Sequence, residues 1–242
     1  MTQERSGTPR SPATGRGSDG VVRPKARDSQ AALTALREVA LREFVESGYH
    51  AVSIRDLARE ASVTLSFLYH YYESKQDLLY QLLDETVDAF HRIYEQRTNA
   101  IGATGEPLSS FLILVDATVH YRALLPNQSL LFIHEFRNLE AKFADRLAHR
   151  RHEVAGLFTE MIEAGVESGV FLTPFPGDAR RSVLSTLNAI PNWFKDGGDI
   201  TVEMLVQRYQ RLALLIVEFS GNITAAVGPP PAALNTRRRR HG

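Results

Sequence analysis

Between Ser29 and Ser74 the apolar residues fall at helical spacing three times, and each run is cut short. Leu33, Leu36, Val39, Ala40 and Phe44 recur on one helix face. "SGYH" then ends the run, with Gly48 at its C-terminal side. In "VSIRDLARE", Ser53 is placed to cap a second helix whose inner stripe is Ile54, Leu57 and Ala58. "EASVT" interrupts again, and Thr64 is the next cap. The third helix lasts about two turns from Leu65, because "ESK" announces another start at Ser74. Helices this short do not persist alone in water, so they must pack on one another. Three helices in some 45 residues, the last two joined by a short turn, predict a helix-turn-helix.

The third helix, within "TLSFLYHYYESK", holds more aromatic residues than one face can bury. With Leu68 turned inward against Leu57 and Val63, Tyr72 follows at i+4 and closes the core with Leu78 and Leu79. Leu65, Ser66, Phe67, Tyr69 and His70 are then left largely outside, as a binding face. In a helix-turn-helix this second helix of the pair enters the DNA major groove.

The remainder also reads as helix. Runs are expected over Lys75 to about Arg97, Pro107 to Leu125, onward to about Phe136, Glu140 to Ser168, Asp178 to Phe194 and Val202 to Phe219. No stretch sustains two-residue alternation, so the expected fold is all-α, with about nine helices and no sheet. The expected domains are a disordered arm (1–28), a helix-turn-helix domain (29–75), a ligand-binding and dimerisation domain (76–220) and a disordered basic tail (221–242).

Charge is uneven. Residues 1–80 carry 11 Lys/Arg and 10 Asp/Glu, residues 81–236 carry 13 and 18, and Arg237 to Arg240 stand together. The arm adds Arg5, Arg10, Arg16, Arg23, Lys25 and Arg27. Net charge alone therefore argues weakly for nucleic acid. There is no cysteine, which excludes disulfides and thiolate metal sites and fits the cytoplasm. No run of about 18 apolar residues appears, so no membrane span is expected, and the N-terminus lacks the apolar run of a secretory signal. No serine elbow, phosphate-binding loop or dinucleotide fingerprint is present, and neither an enzyme nor a cofactor is expected. His149, His152 and Glu153 share a helical stretch without a further ligand at suitable spacing, so no metal is expected.

The stretch "VSIRDLAREASVTLSFLYHYYESKQDLL" resembles the DNA-binding signature of the tetracycline-repressor (TetR) family of transcriptional regulators. Two positions depart from the usual pattern: Ser62 stands where glycine is frequent, and Leu65 where polar residues are. The resemblance implies a homodimer with an N-terminal reading head and a C-terminal ligand domain, binding double-stranded operator DNA. By position, Leu65, Ser66, Phe67 and Tyr69 would face base edges and Ser53, Arg55, Tyr71 and Lys75 would hold phosphates, with His70 suited to either.

Further on, Trp193, Phe194, Gly197, Gly198, Thr201 and Glu203 resemble a motif of the branch that regulates fatty-acid, steroid and other acyl-CoA catabolism. That resemblance implies a repressor released by an acyl-CoA or other hydrophobic effector. Candidate lining residues are Phe90, Ile93, Tyr94, Phe111, Val115, Phe132, Phe136, Phe158 and Trp193, with Arg122 and Arg137 toward an anionic head group. Val183, Leu184, Leu187, Leu205, Tyr209, Leu212 and Ile216 are the expected four-helix dimer seam. The competing expectation is a dimeric helical ligand-binding or scaffolding protein whose helix-turn-helix does not bind DNA.

Overall fold

The structure, a computed structural model, describes residues 26–102 and 104–230. Its α-helices run in chain order as α1 (Ala26–Glu46), α2 (Ile54–Glu60), α3 (Leu65–Tyr71), α4 (Lys75–Ile101), α5 (Pro107–Leu124), α6 (Pro126–Glu135), α7 (Ala141–Glu167), α8 (Pro176–Asn188), α9 (Ile190–Trp193), α10 (Val202–Ile216) and α11 (Ile223–Val227). Nine of these have seven residues or more, among the described residues, and the only sheet-like contact there is an isolated bridge between Phe171 and Phe219.

The caps expected from sequence hold the short helices. Ser53 accepts the Asp56 N–H, Thr64 the Phe67 N–H and Ser74 the Asp77 N–H, each at 3.0–3.1 Å. Each bond satisfies a backbone donor that the first turn leaves without a helical partner. Pro191 accounts for one departure from expectation. It supplies no N–H, so the run Asp178 to Phe194 breaks at Ala189 into α8 and the single turn α9. A second departure is α11, capped by Asn222 inside the stretch expected to be disordered; Arg211 holds it by bonding Gly228 O and Thr224 Oγ1. α1 likewise starts inside the expected arm. Residues 1–25 of the arm and 231–242 of the tail, including the arginine run, lie outside the described residues.

Ser62, between α2 and α3, sits at φ +55°, the left-handed region that disfavours a Cβ. It is exposed, and its N–H reaches Arg59 O at 3.1 Å. Ser62→Gly is expected to stabilise the fold by about 1 kcal/mol or less, raising Tm by roughly 2 °C in thermal denaturation. A fall in Tm would remove the strain argument.

Two cores share one long helix. The first is built from α1–α3 around Leu36, Phe44, Leu57, Leu68 and Tyr72, all essentially inaccessible. The Tyr72 hydroxyl accepts from Arg37 Nε at 2.9 Å. Contrary to a boundary at residue 75, this core continues along α4 to Val87 and takes Leu131, Leu139, Phe143 and Leu147 from the region of α6 and α7. The second core joins the distal part of α4 to α5, α7, α8 and α10. α4 has 27 residues, about 40 Å. It contributes Leu78, Leu79, Leu82 and Leu83 to the first core and Ala89 and Phe90 to the second.

Candidate nucleic-acid interface and ligand cavity

The α2–α3 pair presents one outward face. On α3, Leu65, Ser66, Tyr69 and His70 are exposed, while Leu68 is buried under them. Phe67 is only half exposed: it packs on the first core and against Tyr71 at 5.0 Å between ring centroids. Tyr71 is also half-buried and meets the His70 ring at 5.0 Å. Tyr69 is 53 % exposed.

The expected phosphate ligands separate into two kinds. Arg55 is exposed on α2 and forms no ion pair among the described residues. Ser53 is exposed, but its hydroxyl serves the α2 cap and donates to the Asp56 carboxylate. Lys75 is turned inward: Nζ donates to the Tyr49 carbonyl and lies 4.1 Å from the Tyr49 ring centroid. Burial pushes its pKa below the usual lysine range, and Glu135 opposes this. Lys75 thus forms part of a hub. The Tyr49 N–H donates to Glu135 Oε2 at 3.3 Å, and Gln76 Nε2 donates to both Tyr49 Oη and Asn138 O at 2.9 Å. This hub links the short helices to the end of α6.

A cavity of about 420 Å³ opens next to that hub. Phe90 from α4, Phe132 from α6, Phe136 beyond it, and Phe158 from α7 form its aromatic wall. Arg122 and Arg137 line it, and Arg180 and Asn188 of α8 join them. Tyr121 also faces it; burial raises the pKa of its phenol, so the group stays a neutral hydroxyl. Arg180 and Asn188 escaped the sequence reading because "GDARR" looks like a solvated first turn and nothing marks a lone Asn.

Other expected lining residues lie elsewhere. Phe111 and Val115 are fully buried within the second core, where Phe111 meets the Phe171 ring at 5.1 Å. Ile93 and Tyr94 pack on that core without reaching the cavity, Tyr94 stacking on Phe90 at 6.2 Å. Trp193 is 46 % exposed on α9, beside the Tyr209 hydroxyl. The helix break at Ala189 turns it away from the cavity.

The expected dimer seam is corrected in the same way. Val183, Leu187 and Leu205 are fully buried within the subunit core, and Leu184 lines the cavity. Tyr209 and Ile216 are half-buried. The outward apolar residues are Leu212 (45 % exposed) and Leu215 (62 %), with Trp193 at one end of the row. Leu172, whose N–H bonds Glu218 O, lies at the other end. Amphipathic periodicity identifies an inward stripe, and for α8 and α10 that stripe packs on their own subunit.

Gly197, at φ +76°, makes the turn after α9, and Thr201 caps α10 by accepting the Met204 N–H at 3.3 Å. Glu153 lies 3.4 Å from His149 and 3.9 Å from His91, and His152 bonds the Ala148 carbonyl. No three such ligands converge among the described residues. No single described helix is long and apolar enough to cross a membrane.

Comparison with known proteins agrees with this architecture. A family model described as bacterial regulatory proteins of the tetR family matches residues 36–82, and the tetracyclin repressor-like C-terminal domain matches residues 104–217. The transcriptional repressor KstR2 of Rhodococcus jostii is 27 % identical over 75 % of this chain and 88 % of its own. KstR2 of Mycolicibacterium smegmatis is 25 % identical over 80 % and 91 %. Among solved structures, the ketosteroid regulator KstR2 of Mycobacterium tuberculosis superposes with a TM-score of 0.67 at 22 % identity, covering 83 % of this chain and 98 % of that one. AibR, solved with isovaleryl coenzyme A and operator DNA, gives 0.66 at 19 % identity over 78 % and 99 %. With both halves matched in order, the chain belongs to the TetR family of ligand-responsive, DNA-binding transcriptional regulators.

Proposed function

We propose that this regulator is a cytoplasmic homodimeric repressor that reads operator DNA through α3 and releases it when an acyl-CoA thioester fills the cavity. The observation that carries the reading is the cavity itself. It has an apolar aromatic wall, three arginines and no lining carboxylate, which suits a ligand with an apolar body and anionic groups. The KstR2 relatives are named as repressors, and AibR was solved with an acyl thioester of coenzyme A, which supports the same class.

Contact on the reading head divides by chemistry. Ser66, Tyr69 and His70 offer hydrogen-bonding groups to base edges, and Leu65 and the outer edge of Phe67 offer apolar contact to thymine methyls. Arg55 and Tyr71 lie toward the backbone phosphates, the Ser53 hydroxyl stays with the α2 cap and the Asp56 carboxylate, and Lys75 acts from behind, holding Tyr49 at the start of α4.

Release follows from the hub. Phe136 and Arg137 line the cavity, and the residues flanking them, Glu135 and Asn138, bond Tyr49 and Gln76 beside the reading head. A ligand that displaces Phe136 and Arg137 must also displace those bonds and the start of α4. The effect is limited by the ligand's difference in affinity for the two states; a 100-fold loss of DNA affinity needs about 2.7 kcal/mol of coupling. Calorimetry of a panel of acyl-CoAs, with and without a duplex the protein has selected, tests this. Reciprocity requires the duplex to weaken the thioester by the same factor that the thioester weakens the duplex. Equal affinities in the two titrations would overturn the proposal.

The exposed row Trp193, Leu212 and Leu215 is the proposed seam between subunits. Leu215→Glu is expected to shift sedimentation from dimer to monomer and to abolish tight operator binding, because two half-sites must be read together. A wild-type monomer at micromolar concentration would remove this assignment.

A further inference from the structure

Arg122 stands apart from the other arginines of the cavity. Arg137 is exposed and Arg180 half-buried, whereas Arg122 Nε and Nη1 are sealed from solvent and have no hydrogen-bond partner. Its Nη2 donates to Asn188 Oδ1 at 2.8 Å, and the guanidinium lies 5.3 Å from the Tyr121 ring centroid. No carboxylate faces it: the cavity wall holds none, and Arg122 has no ion pair among the described residues. Burial lowers its pKa, yet a guanidinium stays protonated at any physiological pH. An unpaired buried charge is costly to a fold. Such a group persists where a ligand completes its pairing.

The geometry narrows what completes it. A guanidinium has two edges on which a carboxylate can sit with two parallel hydrogen bonds, Nε with Nη2 and Nη1 with Nη2. Whichever Nη2 hydrogen Asn188 takes, the other still lies beside an unpartnered neighbour, so one edge stays unpaired. A ketone or a thioester carbonyl brings one neutral oxygen and leaves the charge uncompensated. The apolar part of the cavity wall comes from Phe90, Phe132, Phe158 and Leu184.

We infer that Arg122 is a specificity-determining receptor for a carboxylate at the buried end of the effector, with Arg137 and Arg180 meeting a second anionic group at the cavity mouth. This rests on the cavity being the effector site. The ligand class is an aliphatic or alicyclic acid, presented either as a free acid or as the far end of a dicarboxylic chain whose other end is a coenzyme A thioester.

Titration calorimetry of the full chain with three probes separates these: suberoyl-CoA, octanoyl-CoA and octanoate. Suberoyl-CoA is expected to bind at least about tenfold more tightly than octanoyl-CoA. Arg122→Gln is expected to erase that preference, and Arg122→Lys to keep only part of it, because lysine retains the charge without the fork. Equal binding of the two thioesters, or a preference that survives Arg122→Gln, overturns the inference and leaves the thioester reading intact. Binding of octanoate that depends on Arg122, with neither thioester bound, supports the inference and overturns the thioester reading. Failure of all three to bind overturns both. Should Arg122→Gln not fold, the wild-type ranking decides alone. Arg122→Met offers an independent readout: without ligand it is expected to melt no lower than wild type, since it removes a buried unpaired charge.

Discussion

Asp116→Ala is expected to lower the unfolding free energy by about 3 kcal/mol, the low end for breaking a buried ion pair, and so to lower Tm by roughly 6–12 °C. Asp116 is buried on α5, where it accepts from Arg97 of α4 and from His120 Nδ1 at 3.2 Å. Its removal leaves Arg97 without a partner and takes the carboxylate from His120, whose Nδ1 keeps only the Asp116 backbone carbonyl, where the distal end of α4 meets the second core. Burial alone would raise the Asp116 pKa; the hydrogen bonds from His120 and Arg97 outweigh burial and hold it below the usual carboxylate value. The His120 pKa is raised, first by its hydrogen bond to Asp116. The signs then differ. The carboxylate's contribution is present above its unfolded value of 3.8 and is lost as pH falls through the lower folded value. The imidazolium's contribution is full below 6.5 and is lost as pH rises through its raised folded value. The difference in Tm between wild type and Asp116→Ala should therefore be widest between about pH 4 and 6.5 and shrink on the alkaline side. Thermal melts from pH 5 to 8 check it. A difference constant across that range would mean that His120 does not gain from the pair.

Tyr69→Ala is expected to cost about 1–3 kcal/mol at each half-site, hence a loss of operator affinity of at least about 30-fold when both subunits carry it. The ring is exposed and Leu68 beneath it is untouched, so the melting temperature should stay within about 2 °C of wild type. Fluorescence anisotropy on a duplex selected by the protein from random sequence measures the loss. The same titration on an unrelated duplex should change little. Arg55→Ala makes the contrast: it should weaken all duplexes alike and flatten the salt dependence by about one unit per subunit. Equal weakening of selected and unrelated DNA by Tyr69→Ala would move that residue from base edge to phosphate.

The reading head was largely legible in the chain because its determinants are local. A capping hydroxyl bonds a backbone N–H three residues away, and Leu68 and Tyr72 share a helix face wherever the helix lies. Ser62 was legible for the same reason, since its strain comes from its own Cβ. Lys75 was not. Its place beside α3 suggested a phosphate ligand, but its ammonium is committed to Tyr49, 26 residues earlier in the chain.

The C-terminal half divides along the same line. Helical period and proline positions determined that it is a bundle: Pro107 opens a helix as expected, and Pro126, which marks the break after it, stands at the first position of the next. Which apolar residue fills the core, lines the cavity or faces outward was decided only by the packing of helices distant in sequence. Phe111, Phe158 and Trp193 are all large and aromatic in the sequence; the structure makes the first core, the second cavity wall and the third surface. A period of 3.6 residues tells which residues share a face, and it carries no information about what that face meets. That is set by the crossing of α5, α7, α8 and α10, and by the break at Ala189 that turns Trp193 out.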